Sequence, residues 1–598
     1  MKIVPKHRLL FGTSFLMLGG ATLYGCKDFL SNAAAPQGTL NEQTLANKAG
    51  VEGSLIAAYR MLDCSNTVGG AWACAASNWV WGSVTSDDAY KGSDASDQPS
   101  INDIEAYNWG TGKAESYLNE KWRAVYEGVV RSNATLRLLK AVQTSSPGQL
   151  SAADASGIEG EALFLRAYYH FEAWRMWGNI PYYREDDTDF RKANLTSAQA
   201  VTEILADINA AIAKLPPSPR NGQKGRASQW TAKAYKGRIQ MYAKQYPAAL
   251  TTLREVRASG PYALEPSFDR VWSGYQDFAN GPETVFAFQA SANDGEPNGN
   301  NANFGERLNF PYSGSPLGCC GFHQPSQNLA NFYKVDATGL PLALSAPTTW
   351  NASDANLSST NLVPVDPRVD WTLGRDGVPY KDWGIYNSGG GWVRDISNAG
   401  WYSPKKNIHE KSSGAQSTVG WVNTQLNSVN IHLLRYADVL LLLAEAEVEA
   451  GSLENARTIV NEIRARAGQK AQGPGTGRAD LAVAINDPRI TWAVYRVGLY
   501  TTPWTDPVFA RAAVRAERRL ELAMEGQRFF DLRRWGTVQT EINSYLKGVG
   551  GQAEENRRPY LKFAQPLAAK HLLYPIPNIQ IELSKVGSES RLTQNAGW

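Results

Sequence analysis

The chain is poor in the residues that build metal and redox centres. It holds six histidines and five cysteines in 598 residues, the histidines lie far apart, and no Cys or His pair has zinc-ligand spacing. No metal and no cofactor is therefore expected. Net charge is nearly absent too: the formal +3 rests on Lys2, Lys6 and Arg8, and beyond residue 25 acids and bases balance. A nucleic-acid surface needs a basic excess, so no nucleic-acid partner is expected. No later run is long and apolar enough to span a bilayer; the best, VLLLLAEAEVEA, is soon broken by glutamates. Catalytic signatures are missing as well. HEKSS at His409 lacks the second histidine of a zinc protease, GPGTGR at Gly473 lacks the third glycine of a dinucleotide loop, and no G-x-S-x-G elbow occurs. Asp87 and Asp88, being adjacent, do not by themselves make the two carboxylates that flank a sugar in a glycosidase. The expectation is a protein without enzymatic activity.

What the chain does have begins at its start. Lys2, Lys6 and Arg8 precede an apolar run, Leu9 to Leu23, too short for a stable membrane anchor and of the form of a secretory leader. Leu23, Tyr24, Gly25 and Cys26 look like the lipobox of bacterial lipoproteins, with Tyr24 off pattern; the alternative is a plain signal peptide with a chance cysteine. With the lipobox, Cys26 becomes the acylated N-terminus. Each buried methylene contributes about 0.8 kcal/mol, so several chains hold where one does not. Of the other cysteines, Cys64 and Cys74 are expected to close a short loop by a disulfide, while Cys319 and Cys320 either bond each other or stay reduced.

The body reads as mainly α, a tetratricopeptide-like helical scaffold with a long loop-rich insertion containing short strands. In TSAQAVTEILADINAAIAKLPP, Val201, Ile204, Leu205, Ile208, Ile212 and Leu215 share one face. Thr196 and Gln199 form a capping box and Pro216 ends the helix. Two later segments repeat one pattern: Gly237, Met241, Tyr246, Ala249, Leu253 and Val256 align with Ala444, Val448, Leu453, Ala456, Val460 and Ile463. Small residues at fixed places let two helices approach closely, and each segment reads as a helix pair. Between them lies a Gly-, Asn- and Ser-rich stretch without helical period, carrying Trp350, Trp371, Trp383, Trp392, Trp401 and Trp421. The expected order is a leader over 1–25, a tether over 26–40, a helical region over 41–290, the insertion over 291–430 and a second helical region over 431–598.

These segments resemble the SusD/RagB family of surface glycan-binding lipoproteins along almost the whole mature chain. The resemblance is carried by GEALFLRAYYHFEAWRMWGNIPYY (Gly160 to Tyr183), DPRVDWT (Asp366 to Thr372), LLRYADVLLLLAEAEVEAG (Leu433 to Gly451) and ERRLELAMEGQRFFDLRRWG (Glu517 to Gly536). SDDAY, KWRAVYEGVVRSNATLRLL and the closing LYPIPNIQIELS add to it. It implies a lipid-anchored, surface-exposed protein of the outer membrane, set as a lid on a SusC-type TonB-dependent transporter. Its role would be to hand over oligosaccharides or, in some members, peptides. Lys27 and Asp28 resemble a weak surface-export signal. The family motifs mark scaffold and do not identify a ligand.

Charge is densest from Glu517 to Arg534. Glu521, Glu525 and Arg528 share a helix face, which suggests either an acid–base site or, preferred here, a structural ion-pair network. Tryptophan is the conspicuous surplus, nineteen residues, and an indole or phenol face stacks on the apolar face of a pyranose. Trp122, Trp174, Trp177, Trp230 and Trp535 fall in helical patterns and are assigned to packing. Tyr90, Tyr312, Phe322, Trp350, Trp383 and Trp392 lie in Gly/Asn-rich contexts, and Trp72 sits beside Cys74; these seven are the ligand-binding candidates. The expected function is capture of an oligosaccharide by ring stacking. The other readings are peptide binding on the same architecture and, from a different class, glycan hydrolysis.

Overall fold

Helices carry both flanks of the chain, and several begin on a side-chain cap: Asn47, Thr111, Ser151, Thr196, Ser228, Ser452 and Asp506. The computed structural model describes residues 42–63, 68, 72–548 and 553–598; the leader, the tether, Cys26 and Cys64 lie outside them. The first flank runs through α1 (Lys48–Tyr59), α2 (Gly112–Ser145), α3 (Ala152–Trp177), α4 (Ser197–Lys214), α5 (Gln229–Tyr242) and α6 (Tyr246–Ser259), each packed on the next. The capping box of α4 forms as expected: Thr196 N donates to Gln199 Oε1 at 3.0 Å, and the Thr196 hydroxyl accepts from Gln199 N.

The second flank comprises α7 (Tyr436–Ala450), α8 (Leu453–Ala467), α9 (Pro507–Leu522) and α10 (Arg528–Trp535). The two repeated helix pairs, α5–α6 and α7–α8, are far apart in sequence, yet α7 packs directly on α5 and α6. Close approach explains the small residue at the matching positions. A Cβ on Gly237 would stand 2.4 Å from Leu253 Cδ2, nearer than atoms tolerate. Helix α7 is buried on all sides from Tyr436 to Glu447, the pattern of a core helix. Its acids are neutralised by partners on neighbouring helices: Asp438 by Arg518 at 2.7 Å, Glu445 by Arg534, and Glu447 by Arg254 at 2.7 Å.

Among the described residues, strands occur only in two-stranded pairs. Strand β1 (Ala89–Gly92) pairs antiparallel with β3 (Phe322–Pro325) of the insertion. Strand β2 (Thr284–Phe288) pairs antiparallel with β4 (Ile431–Arg435), in register Thr284 with Arg435 and Phe288 with Ile431. The insertion thus leaves and rejoins the helical body through one clasp. Phe286 fixes that clasp to the helices, its ring lying edge-on to Phe164, Tyr168 and Tyr235 at centroid distances of 5.0, 5.9 and 5.9 Å.

The charge cluster of α9 and α10 is largely buried and ion-paired, with Arg533 donating instead to Arg175 O at 2.7 Å. Glu517 holds Arg368 at 2.7 Å and Arg464 at 2.8 Å. Asp87 and Asp88 take Arg528 and Arg519 at 2.8 and 2.9 Å. Burial pushes the Asp87 carboxyl up, but the guanidiniums of Arg519 and Arg528 outweigh it and hold it at about 2. These are structural ion pairs. Trp122 and Trp177 are buried as expected, and Trp174, Trp230 and Trp535 are half-buried along helices.

Candidate functional site

Four of the seven ring candidates belong to the interior, which corrects the expectation drawn from their loop context. Tyr90 is 0% exposed, accepts from Gln327 N at 3.1 Å and donates to Glu554. Phe322 is 0% exposed on β3, against the edge of Trp79. Trp383, 8% exposed, donates from Nε1 to His409 O at 2.8 Å. Trp392, 6% exposed, lies edge-on to Tyr380 and Tyr386 at 5.5 and 5.2 Å. The insertion has a hydrophobic core of its own, and Trp383 and Trp392 fill it. Glycine and asparagine around them shape turns over that core.

Three candidates keep ring surface at the solvent boundary, each in different surroundings. Tyr312 hangs from Trp392 O through its own N–H at 2.8 Å. Arg394, itself paired with Asp94 and Asp97, lies over its ring. Trp350 meets the edge of Phe332 at 5.3 Å and lines a groove of about 350 Å³ with Trp535, Arg515 and Leu344. Trp72 stacks on Phe304, with centroids 5.9 Å apart and ring planes inclined by 4°.

Around Trp72 a larger surface assembles. Arg307 lies over three rings at once: its guanidinium carbon is 4.0 Å from the Phe304 centroid, 4.2 Å from Trp421 and 5.4 Å from Trp72. Trp421 is 56% exposed, so a broad indole is offered to solvent beside a stacked ring pair. Three segments build this platform. The Phe304 turn is fixed from beneath by Gly305, whose N–H donates to Asp63 Oδ2 at 3.2 Å and whose carbonyl accepts from Trp79 Nε1 at 3.2 Å. The Trp421 loop is tied to it by Asn303 N donating to Asn427 O at 3.0 Å and Asn427 N donating to Asn303 Oδ1 at 3.1 Å. Leu426 packs against Phe304 and Trp72.

Backbone strain marks the same loop. Val422, next to Trp421, holds φ at +45°, a left-handed conformation that a β-branched residue adopts only when its surroundings enforce it. Thr424 Oγ1 donates to Leu317 O at 2.9 Å, and Gln425 lies against Cys320. Cys319 and Cys320 are disulfide-bonded to each other, so of the two states expected for them the vicinal bond is the one present. Cys74 is also disulfide-bonded; its expected partner, Cys64, lies outside the described residues.

Sequence reasoning singled out Trp72 but missed Phe304, Arg307 and Trp421 as platform members. Only the proline-poor, Gly/Asn-rich setting of Trp421 carried a signal, and the buried tryptophans share it. Chemically, the platform offers the exposed indole of Trp421 and the half-buried one of Trp72, backed by the buried Phe304, with one cationic donor group. Among the described residues, no group of three or more His, Cys, Asp or Glu side chains is placed to hold a metal ion, and no helix is long and apolar enough to cross a membrane.

Paired helices around an inserted, loop-built region place the chain among helical-repeat proteins whose exposed aromatic chemistry sits outside the repeats. The model of the SusD family matches residues 282–598. A second model, described as starch-binding associating with outer membrane, matches 65–241. The chain belongs to the SusD family. SusD-like protein P38 of Formosa agariphila is 25% identical over 493 residues, spanning 79% of this chain and 82% of that protein. Surface glycan-binding protein A from Bacteroides fluxus superposes with a TM-score of 0.65 at 21% identity, covering 92% of this chain and 99% of that one. Surface glycan-binding protein A from Bacteroides thetaiotaomicron, in complex with laminarihexaose, gives 0.60 at 17% identity, with 92% and 99% covered. The helical fold and the family follow from these likenesses.

Proposed function

We propose that this chain is a non-enzymatic, lipid-anchored binding protein of the outer-membrane surface. It captures an oligosaccharide and passes it to a SusC-type TonB-dependent transporter. The observation that carries the reading is the platform itself: Trp421, 56% exposed, beside the stacked pair Trp72 and Phe304, held by Arg307. Indole faces at these spacings bind the apolar faces of pyranose rings, and the rigid loop underneath keeps the cost of ordering low. Membership of the SusD family supports glycan capture, and the solved relative with laminarihexaose shows that a protein of this fold takes a glucan. Delivery to a transporter and anchoring through Cys26 rest on the family resemblance.

The test is isothermal titration calorimetry against a panel of purified oligosaccharides, comparing the protein with Trp421→Ala and Trp72→Ala. Loss of binding in both variants, with product analysis showing every oligosaccharide intact, is the expected result. Undiminished affinity in the variants, or cleavage of the glycan, would remove the reading.

A further inference from the structure

Arg307 is the member of the platform that ring stacking does not require. Several buried arginines elsewhere face carboxylates: Arg435 has Glu283, Glu521 and Glu525, and Arg368 has Asp366, Glu517 and Glu521; Arg238, without an ion pair, donates to Leu433 O at 2.7 Å and Gln527 Oε1 at 2.6 Å. Among the described residues, Arg307 faces the rings of Phe304, Trp421 and Trp72 and no carboxylate. Among the described residues its guanidinium has neither an ion-pair partner nor a hydrogen-bond acceptor, and its Nε is buried and unpartnered. Burial alone, with no anion opposing it, pulls its pKa down to about 10, so it remains a full cation at neutral pH.

Such a cation is partly stripped of water and lacks counter-charge, an arrangement that proteins sustain at a cost. Contacts with ring faces compensate part of it, yet the buried Nε–H stays unpaired and the terminal amino groups reach solvent without an acceptor on the protein among the described residues. The acids of the neighbouring turn do not supply one. Glu296 accepts from Asn298 N at 3.1 Å and from Asn300 N, and Asp294 from Glu296 N at 3.1 Å. Among the described residues, nothing supplies Arg307 with a counter-charge, and its cation borders the exposed indole of Trp421.

We infer that the platform takes an acidic glycan, Arg307 donating to a carboxylate or sulfate group on the sugar unit that Trp421 and Trp72 stack. This rests on the platform being the glycan site proposed above. Guanidinium and carboxylate or sulfate match in charge and in paired-donor geometry, and an exposed indole holds the same ring through its C–H face. Neutral glycans would meet the stacking surface while leaving the Arg307 donors without an anion.

The experiment is a binding comparison of matched probes: oligogalacturonate against its methyl ester, and laminarihexaose against its sulfated derivative. The acidic member of at least one pair is expected to bind more tightly by about tenfold or more, and the two pairs distinguish carboxylate from sulfate. Its affinity falls with added sodium chloride while that of a neutral glycan does not, a readout that needs no variant. Arg307→Met, which keeps an apolar stem against the rings, abolishes the preference; Arg307→Lys keeps it at lower affinity. Equal binding of both members in both pairs, or an unchanged preference in Arg307→Met, overturns the inference. A glycan still lost in Trp421→Ala under those outcomes leaves the platform standing, whereas full binding by Trp421→Ala removes the platform itself.

Discussion

Arg435 Nη1 and Glu521 Oε1 meet at 2.7 Å in the protein interior, joining the last residue of the clasp strand β4 to the last turn of α9. Arg435 also holds Glu283, just before β2, at 2.7 Å, and Arg466 of α8 bridges Glu283 and Glu521. Arg368 brings in the DPRVDWT segment through Glu521 at 2.9 Å. One carboxylate therefore ties the neck of the insertion, two helices and the insertion's interior together.

Replacing Glu521 by Gln leaves Arg368, Arg435 and Arg466 facing an uncharged group. A loss of about 3–5 kcal/mol is expected, the usual result of breaking a buried ion pair on one side. Urea denaturation measures it. A loss below about 1 kcal/mol, typical of surface pairs, would contradict the structural role given to the network.

Acid should unfold the protein through the same carboxylates. Burial raises Glu521, but Arg466, Arg435 and Arg368 hold it well below its usual range, and Asp87 is held at about 2 against an ordinary 3.8. Groups lowered in the folded state contribute stability that is present above their unfolded values and lost as pH falls through the folded ones. Unfolding free energy measured at steps from pH 5 to pH 2 should decline steadily for the wild type and less steeply for Asp87→Asn.

Lys405 makes stability rise with pH in a second, alkaline window. Burial pulls it from 10.5 down to about 7, with Nζ donating to Pro379 O at 2.8 Å. The unfolded chain binds the extra proton between these values, so this group makes stability rise with pH from about 7 towards 10.5. In Lys405→Met that contribution to the slope disappears, which unfolding curves at pH 7 and pH 9 will register. An identical slope in the variant would show that Lys405 is charged in the fold.

Two tryptophans of the insertion should separate cleanly. Trp383→Ala opens a cavity in the insertion core and is expected to cost about 3–5 kcal/mol. Trp421→Ala at the surface should change stability by no more than about 0.5 kcal/mol while glycan binding is lost. Thermal melts alongside calorimetry give both numbers, and a reversed pattern would exchange their roles.

The proposed lipid anchor has its own check. Cys26→Ala should move the protein from the detergent phase to the aqueous phase in detergent partitioning of cell membranes; unchanged partitioning would mean that something other than acyl chains holds it.

Local chemistry made the helices legible. The α4 cap needs only Thr196 and Gln199, three residues apart, and the Gly237 and Ala444 positions reported close helix approach through side-chain size alone. The charge cluster announced buried pairing but not its partners, because Asp87, Arg368 and Arg435 come from distant segments. The platform was harder to read for a related reason. Trp72, Phe304, Arg307 and Trp421 come from three separate stretches, and a Gly/Asn-rich context does not tell an indole that covers a core, such as Trp392, from one that faces water, such as Trp421. Periodicity tells inside from outside along a helix; irregular chain has none.

The clasp of β2 with β4 has a consequence for how such a protein changes its ligand. Phe288 and Ile431 are partners across one strand pair, so the chain between them leaves and returns at neighbouring points, while β3 on β1 and the Arg368 ion pairs fasten its interior to the body. Lengthening a loop there adds little closure entropy and leaves the distance between the two helical flanks untouched. A loop between these fastenings is open to exchange where it carries none of them, while Arg368, oriented by Asp366 at 2.7 Å, keeps its ion pairs with Glu517 and Glu521. A graft confined to such loops, keeping the clasp, the β1–β3 pair, Asp366 and Arg368, can carry a new set of rings and charges.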